Sequence, residues 1–206
     1  MSLLAKVCGL VLPEDAAFAA TGGADLLGFV SHPTSPRHCG DLTVAAPYLH
    51  RAVLVMVAER VDTILDAARR HGFRRVQPYL PAETREAGLR RLRDAGLFVL
   101  LPWPDEPGHP TLPADLYLWE SSPALTGVAG GSGQTHAMRF PPPGDFLLAG
   151  GLDGANLQAR IEVLPAEARC HLRGADAASR LEVAPGCKDP ARVTAFIHAV
   201  HDLESA

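Results

Sequence analysis

Cys8 and Glu120 are the two side chains of this sequence whose types and settings suit proton transfer. Cys8 lies in Lys6-Val7-Cys8-Gly9, at the end of an apolar run, with Lys6 on the same face two residues earlier. A thiolate acts as a base or nucleophile when its pKa falls below the usual value of about 8.5; a buried structural cysteine is the competing reading. Glu120 closes Leu118-Trp119-Glu120, directly before Ser121-Ser122. A partly desolvated carboxyl there is a candidate general acid, against an ordinary surface glutamate. Arg37, after Ser35-Pro36, has the planar fork that clamps a carboxylate or phosphate. Gly150-Gly151, after Leu148-Ala149, and the stretch from Gly174 to Ser179 offer backbone N–H groups to a phosphate. Gly131 and Ser132 lie in the loop Gly127–Thr135, whose glycines let backbone approach a ligand or move as a lid, though a plain connector has the same composition. The nine histidines form no metal constellation, and no Gly-x-Ser-x-Gly elbow occurs; no metal site is predicted.

These residues sit where short apolar runs stop. Strands are predicted over Leu4–Leu10, Leu26–Ser31, Ala52–Ala58, Arg74–Leu80, Leu97–Trp103, Leu116–Glu120, Phe146–Gly150 and Arg169–Gly174. Between most of them apolar residues recur three and four apart, as in amphipathic helices. One begins at Pro13-Glu14-Asp15; another turns Ile64, Leu65 and Ala68 inward and stops at Gly72; a third runs from Ala82 to Ala95. A helix is expected to start near Asp153–Asn156, and the last opens with Asp189 as cap and Pro190 in its first turn. Strands alternating with helices imply βαβ units and parallel pairing. Eight of them imply a compact (β/α)8 TIM barrel, a single domain over residues 1–206, with catalytic groups at the C-terminal strand ends. The segment 104–113 holds Pro104, Pro107, Pro110 and Pro113, so the fifth helix is expected to be missing or vestigial. A doubly wound open sheet is the alternative, but the first turn lacks Gly-x-Gly-x-x-Gly.

Composition narrows the partners. A net charge of −4 with 6% aromatic residues argues against a nucleic-acid surface. The basic cluster Arg69, Arg70, His71, Arg74 and Arg75 falls at a predicted helix end, where cations suit the dipole. No apolar run reaches the roughly 18 residues of a membrane span. Cys8, Cys39, Cys170 and Cys187 are widely spaced and form no Cys-x-x-Cys, so free thiols in a reducing cytoplasm are expected. Nothing here separates a monomer from a homodimer.

Taken together, these segments resemble phosphoribosylanthranilate isomerase, a (β/α)8 enzyme of tryptophan biosynthesis. Lys6-Val7-Cys8-Gly9-Leu10 is similar to the family's Lys-Ile-Cys-Gly-Ile, and Gly28-Phe29-Val30 with Ser35-Pro36-Arg37 to its Gly-Phe-Val-x-x-x-x-Ser-Pro-Arg. Gly130-Gly131-Ser132-Gly133 with Thr135, then Leu148-Ala149-Gly150-Gly151-Leu152 and Pro185-Gly186-Cys187-Lys188-Asp189, follow in the family's order. The resemblance implies a cofactor-free Amadori rearrangement of a phosphorylated sugar amine to an aminoketose. It implies Cys8 as general base, Glu120 as general acid, Arg37 on the anthranilate carboxylate, and Gly151 and Ser179 on phosphate. The chain departs from the pattern at four places. Glu120 stands for the family's aspartate, one methylene longer, where about 1 Å of misplacement costs roughly a hundredfold. Val76-Gln77-Pro78-Tyr79-Leu80 replaces Val-Gln-Leu-His-Gly. Gln134 replaces a lysine, and Arg180 replaces a phosphate-loop glycine, either obstructing the anion or adding a cation to it. The alternatives are a divergent barrel paralogue acting on another sugar phosphate and a non-catalytic anion-binding relative.

Overall fold

Eight parallel strands close into a barrel in this computed structural model, which describes residues 3–121 and 137–203. The strands are β1 Leu4–Cys8, β2 Leu26–Ser31, β3 Ala52–Val57, β4 Arg75–Tyr79, β5 Phe98–Pro104, β6 Leu116–Glu120, β7 Phe146–Leu148 and β8 Leu172–Ala177. Each pairs with the next, and β8 returns to β1 with Lys6 opposite Asp176.

Side-chain alternation along the strands splits the core in two. Val7, Leu27, Phe29, Leu54, Val76, Val99, Leu101, Trp119, Phe146 and Leu148 point outward and pack under the helices. Cys8, Leu26, Val53, Val55, Leu100, Leu116, Leu118, Leu147 and Ala149 point inward and fill the barrel. Parallel strands covered on both faces read as continuous apolar runs, which is why their sequences show little polar alternation.

The outer layer is irregular. Helices α1 Pro13–Thr21, α2 Val61–His71 and α3 Ala82–Asp94 follow β1, β3 and β4, while a 3-10 helix, Leu42–Tyr48, serves after β2. Residues 105–115, between β5 and β6, carry no helix. After β7 come α4 Leu157–Glu162 and the single turn α5 Ala166–Arg169; α6 Pro190–His201 ends the order. The Asp189 carboxylate accepts from Ala191 N and Arg192 N at the start of α6, and Val193, Phe196, Ile197 and Val200 form its buried stripe.

Six of the eight strands differ from the sequence expectation at one or both ends: β3, β4 and β5 by one residue, β1 and β7 by ending two residues earlier, and β8 by three residues at each end. The eighth strand starts at Leu172, because Pro165 opens the turn of α5 that holds Arg169, and it extends to Ala177 so that Asp176 reaches the interior. Gly174 permits this close pairing: a Cβ there would lie 2.0 Å from the Leu4 carbonyl oxygen. The seventh strand stops at Leu148, since Gly150 and Gly151 turn left-handed at φ 95° and 61°. Beyond β8, a short antiparallel hairpin, β9 Glu182–Ala184 and β10 Cys187–Lys188, brings two charged residues back toward the mouth.

Candidate active site

Cys8 and Glu120 end β1 and β6 with inward parity, so both side chains enter the barrel at its C-terminal end. Both are buried, at 7% and 5% exposure. Gly28, opposite Cys8 in register, leaves room for the thiol: a Cβ there would lie 2.7 Å from Sγ.

Below the thiol lies an ion pair. Lys6 is fully buried, and its Nζ donates to Asp176 Oδ1 at 2.6 Å. Burial opposes the charge on Lys6, but the Asp176 carboxylate and the neighbouring Cys8 outweigh it and hold the ammonium above its ordinary pKa. Around Cys8, burial pushes the thiol up and Asp176 adds to that push, while the ammonium groups of Lys6 and Lys188 pull it down. Burial prevails and holds the thiol above its ordinary pKa, although two cations draw its thiolate.

Glu120 is shifted in the same direction. Burial raises its pKa to about 8, against the Tyr79 hydroxyl and Lys6, with Asp176 reinforcing the rise. Its carboxyl is thus largely protonated at neutral pH, the form a general acid needs. Tyr79 Oη lies 3.1 and 3.3 Å from the two Glu120 oxygens, and Gln77 Nε2 donates to Tyr79 Oη at 3.0 Å. Glu120 and Tyr79 also line a cavity of about 240 Å³, closed by Pro102 and Pro104 of β5 with Arg85, Glu106 and His109 above. A larger hollow of about 650 Å³ lies at the opposite end, by Phe98 and Asp115, away from these groups.

The rim carries two further arrangements. Glu182 accepts from Arg37 Nε at 2.9 and 3.1 Å, from Arg37 Nη2 at 2.9 Å and from Lys188 Nζ at 2.9 Å. Burial opposes its charge, but the two cations hold its carboxyl below the usual range. Lys188 reads the other way: burial lowers its pKa although Glu182 and Cys8 oppose the fall. The asymmetry is physical, since two cations serve one anion and the more buried cation gains less than it loses. Beside them, Asp153 Oδ1 accepts from Ala155 N and Asn156 N, and Asn156 Nδ2 donates to Gly151 O at 2.8 Å. Arg180 Nη1 reaches Asp153 Oδ2 at 3.0 Å, drawing the turn that begins at Ser179 onto the Gly150-Gly151 loop.

Cys8 and Glu120 thus open on one interior, Arg37 flanks it, and the Gly150-Gly151 and Ser179-Arg180 loops are linked at its edge. Gly131 and Ser132 lie outside the described residues. The sequence reading did not assign Asp176, Tyr79, Gln77, Glu182 or Lys188 to the site. A signal existed for one pair: Gln77 and Tyr79 are two apart on β4 and so share a face. Among the described residues no group of His, Cys, Asp and Glu is arranged to hold a metal ion. No helix there is long and apolar enough to cross a membrane.

A closed (β/α)8 barrel that gathers a buried carboxyl and a thiol at its C-terminal mouth defines a barrel of the enzyme type. No family model matches the chain. It is 31% identical to N-(5'-phosphoribosyl)anthranilate isomerase of Azorhizobium caulinodans, covering 100% of this chain and 95% of the relative. Its fold is shared with phosphoribosyl anthranilate isomerase of Thermus thermophilus, at TM-score 0.74 and 24% identity over 98% of this chain and 100% of that one. A further structure of such an isomerase, in complex with reduced 1-(o-carboxyphenylamino)-1-deoxyribulose 5-phosphate, matches at TM-score 0.70 and 23% identity, covering 98% and 100% of the two chains. The chain belongs to the phosphoribosylanthranilate isomerase family.

Proposed function

We propose that the protein isomerises N-(5-phosphoribosyl)anthranilate to its aminoketose, a step of tryptophan biosynthesis. The observation that carries this is the meeting of Glu120 and Cys8 in one barrel mouth: a carboxyl whose pKa burial raises to about 8, and a thiol that burial also raises but that two ammonium groups flank. Glu120 gives its proton to the ribose ring oxygen; the C1–O bond breaks and the nitrogen lone pair forms a C=N bond. The resulting iminium adds positive charge near the thiol and favours its thiolate. Cys8 then takes the C2 proton, the electrons form a C1=C2 enolamine, and protonation at C1 with loss of the C2 hydroxyl proton leaves the C2 ketone.

Arg37, already oriented by Glu182, keeps Nη1 for the anthranilate carboxylate. The left-handed Gly150-Gly151 turn and the turn at Ser179 supply backbone donors for the phosphate, with Arg180 adding a cation. Gly131 and Ser132 complete the substrate loop in this reading. Four free thiols suit a cytoplasmic setting. The test is growth rescue of a tryptophan auxotroph lacking this isomerase. Wild type is expected to rescue, and Cys8→Ala and Glu120→Ala are not; a soluble, folded wild type that fails to rescue would overturn the assignment.

A further inference from the structure

We propose that Tyr79 is a positioning residue for Glu120: its hydroxyl, itself held by Gln77, fixes which carboxyl oxygen carries the transferable proton. This inference rests on the reading of Glu120 as the general acid. A phenol has one hydrogen to give and accepts through the same oxygen. Gln77 Nε2 donates to Tyr79 Oη at 3.0 Å, so the phenolic hydrogen is directed away from Gln77 and toward Glu120. One carboxyl oxygen then accepts from Tyr79, and the acidic proton resides on the other, in the cavity that Glu120 lines.

Among the described residues, the neighbouring groups leave Tyr79 as the side chain placed for this. Strand β5 lies between β4 and β6, and its inward residues at this level, Pro102 and Pro104, have no side-chain donor. Among the described residues, the ionisable groups acting on Glu120 are Tyr79 on β4, Lys6 on β1 and Asp176 on β8; Cys8 on β1 acts on Tyr79, and Arg85, Glu106 and His109 line the cavity. Among these, the hydroxyl of Tyr79 has a hydrogen bond to the carboxyl. Gln77 Oε1 is buried without a partner among the described residues. An unsatisfied buried acceptor is costly, so retaining the amide beside Tyr79 is better explained by what its Nε2 holds than by packing.

The experiment compares wild type, Tyr79→Phe, Glu120→Asp and the double variant. Tyr79→Phe keeps the ring and removes only the hydroxyl. It is expected to lower kcat by about tenfold with little change in KM, and to move the alkaline limb of the kcat–pH profile upward, because the hydroxyl opposes protonation of Glu120. Glu120→Asp withdraws the carboxyl by one methylene from the hydroxyl, so adding Tyr79→Phe to it should cost nothing further. A fall in kcat with an unmoved limb, or losses that multiply in the double variant, would overturn the proposal. A carboxyl titration by carbon-13 NMR of glutamate-labelled protein, assigned with Glu120→Gln, needs no turnover. A higher Glu120 midpoint in Tyr79→Phe supports the positioning role even if wild type proves inactive, in which case the proposed activity alone fails. An unmoved midpoint overturns the positioning role whatever the activity.

Discussion

Replacing Glu182 by Gln tests the charge node at the rim most directly. The carboxylate is 4% exposed and holds Lys188, 1% exposed, and Arg37, 14% exposed. Neutralising it leaves two cations facing each other across an amide. Removing one partner of a buried pair costs about 3–5 kcal/mol, whereas an exposed pair contributes about 0–1 kcal/mol. Two features place the cost near the lower bound. Arg37 retains some solvent, and Lys188, already pushed below its ordinary pKa by burial, can shed its proton instead of staying charged. A loss of about 3 kcal/mol is expected, which lowers a urea midpoint by about 1.5 M at a slope of about 2 kcal/mol per molar. Fluorescence of the buried Trp103 and Trp119 reports the transition. Because the folded carboxyl is depressed, its contribution is present above the unfolded pKa and fades as pH falls through the folded value. The penalty should therefore shrink in acid. Adding Lys188→Met to Glu182→Gln should recover part of the loss, since one uncompensated cation is gone. A loss under about 1 kcal/mol, or strict additivity in the double variant, would show that the node is solvated and the reasoning wrong.

The remaining predictions concern Glu120, the barrel closure and the anion loops. Glu120 has its folded pKa raised to about 8 from the ordinary 4.5. Its stabilising contribution is complete below the unfolded value and is lost as pH rises toward 8. Wild type should lose on the order of a few kcal/mol across that window, and Glu120→Gln should flatten the slope; parallel denaturation curves at pH 5 and pH 8.5 for both proteins would contradict this. Gly174→Ala places a methyl 2.0 Å from the Leu4 carbonyl oxygen, so the variant should fail to yield soluble folded protein, and a wild-type melting profile would refute the register. Arg180→Ala removes a half-exposed pair with Asp153 and should leave stability within about 0.5 kcal/mol. Calorimetry should nonetheless show affinity for inorganic phosphate reduced several-fold; unchanged affinity would remove Arg180 from the anion site.

The barrel was legible because each inward-facing apolar run keeps a strand's length and the longer helices carry recognisable termini, such as Gly72 after α2 or Asp189-Pro190 before α6. β8 was misplaced for a physical reason. Its Gly174-Ala175-Asp176 reads as a loop until one sees that Lys6 neutralises the aspartate and that the glycine is needed against Leu4. Cys8 and Glu120 were legible as reactive types at strand ends, and Arg37 as an anion clamp in the loop after β2. Their environment was not, since it depends on partners remote in sequence. Tyr79 read as the loss of a histidine, and only the fold shows its hydroxyl at the carboxyl of Glu120, 41 residues away. Glu182 and Lys188 joined the site through the hairpin, whose antiparallel return no periodicity of the strands foretells.

The ion pair between Lys6 and Asp176 spans 170 residues and sits on the seam where first and last strands meet. During vectorial synthesis that seam stays unzipped until Asp176 has left the ribosome. Up to then an incomplete ring presents two raw sheet edges, and the lysine waits hydrated for its counter-ion. A junction between such distant residues carries a high loop-closure cost, so closing the ring is slow by topology.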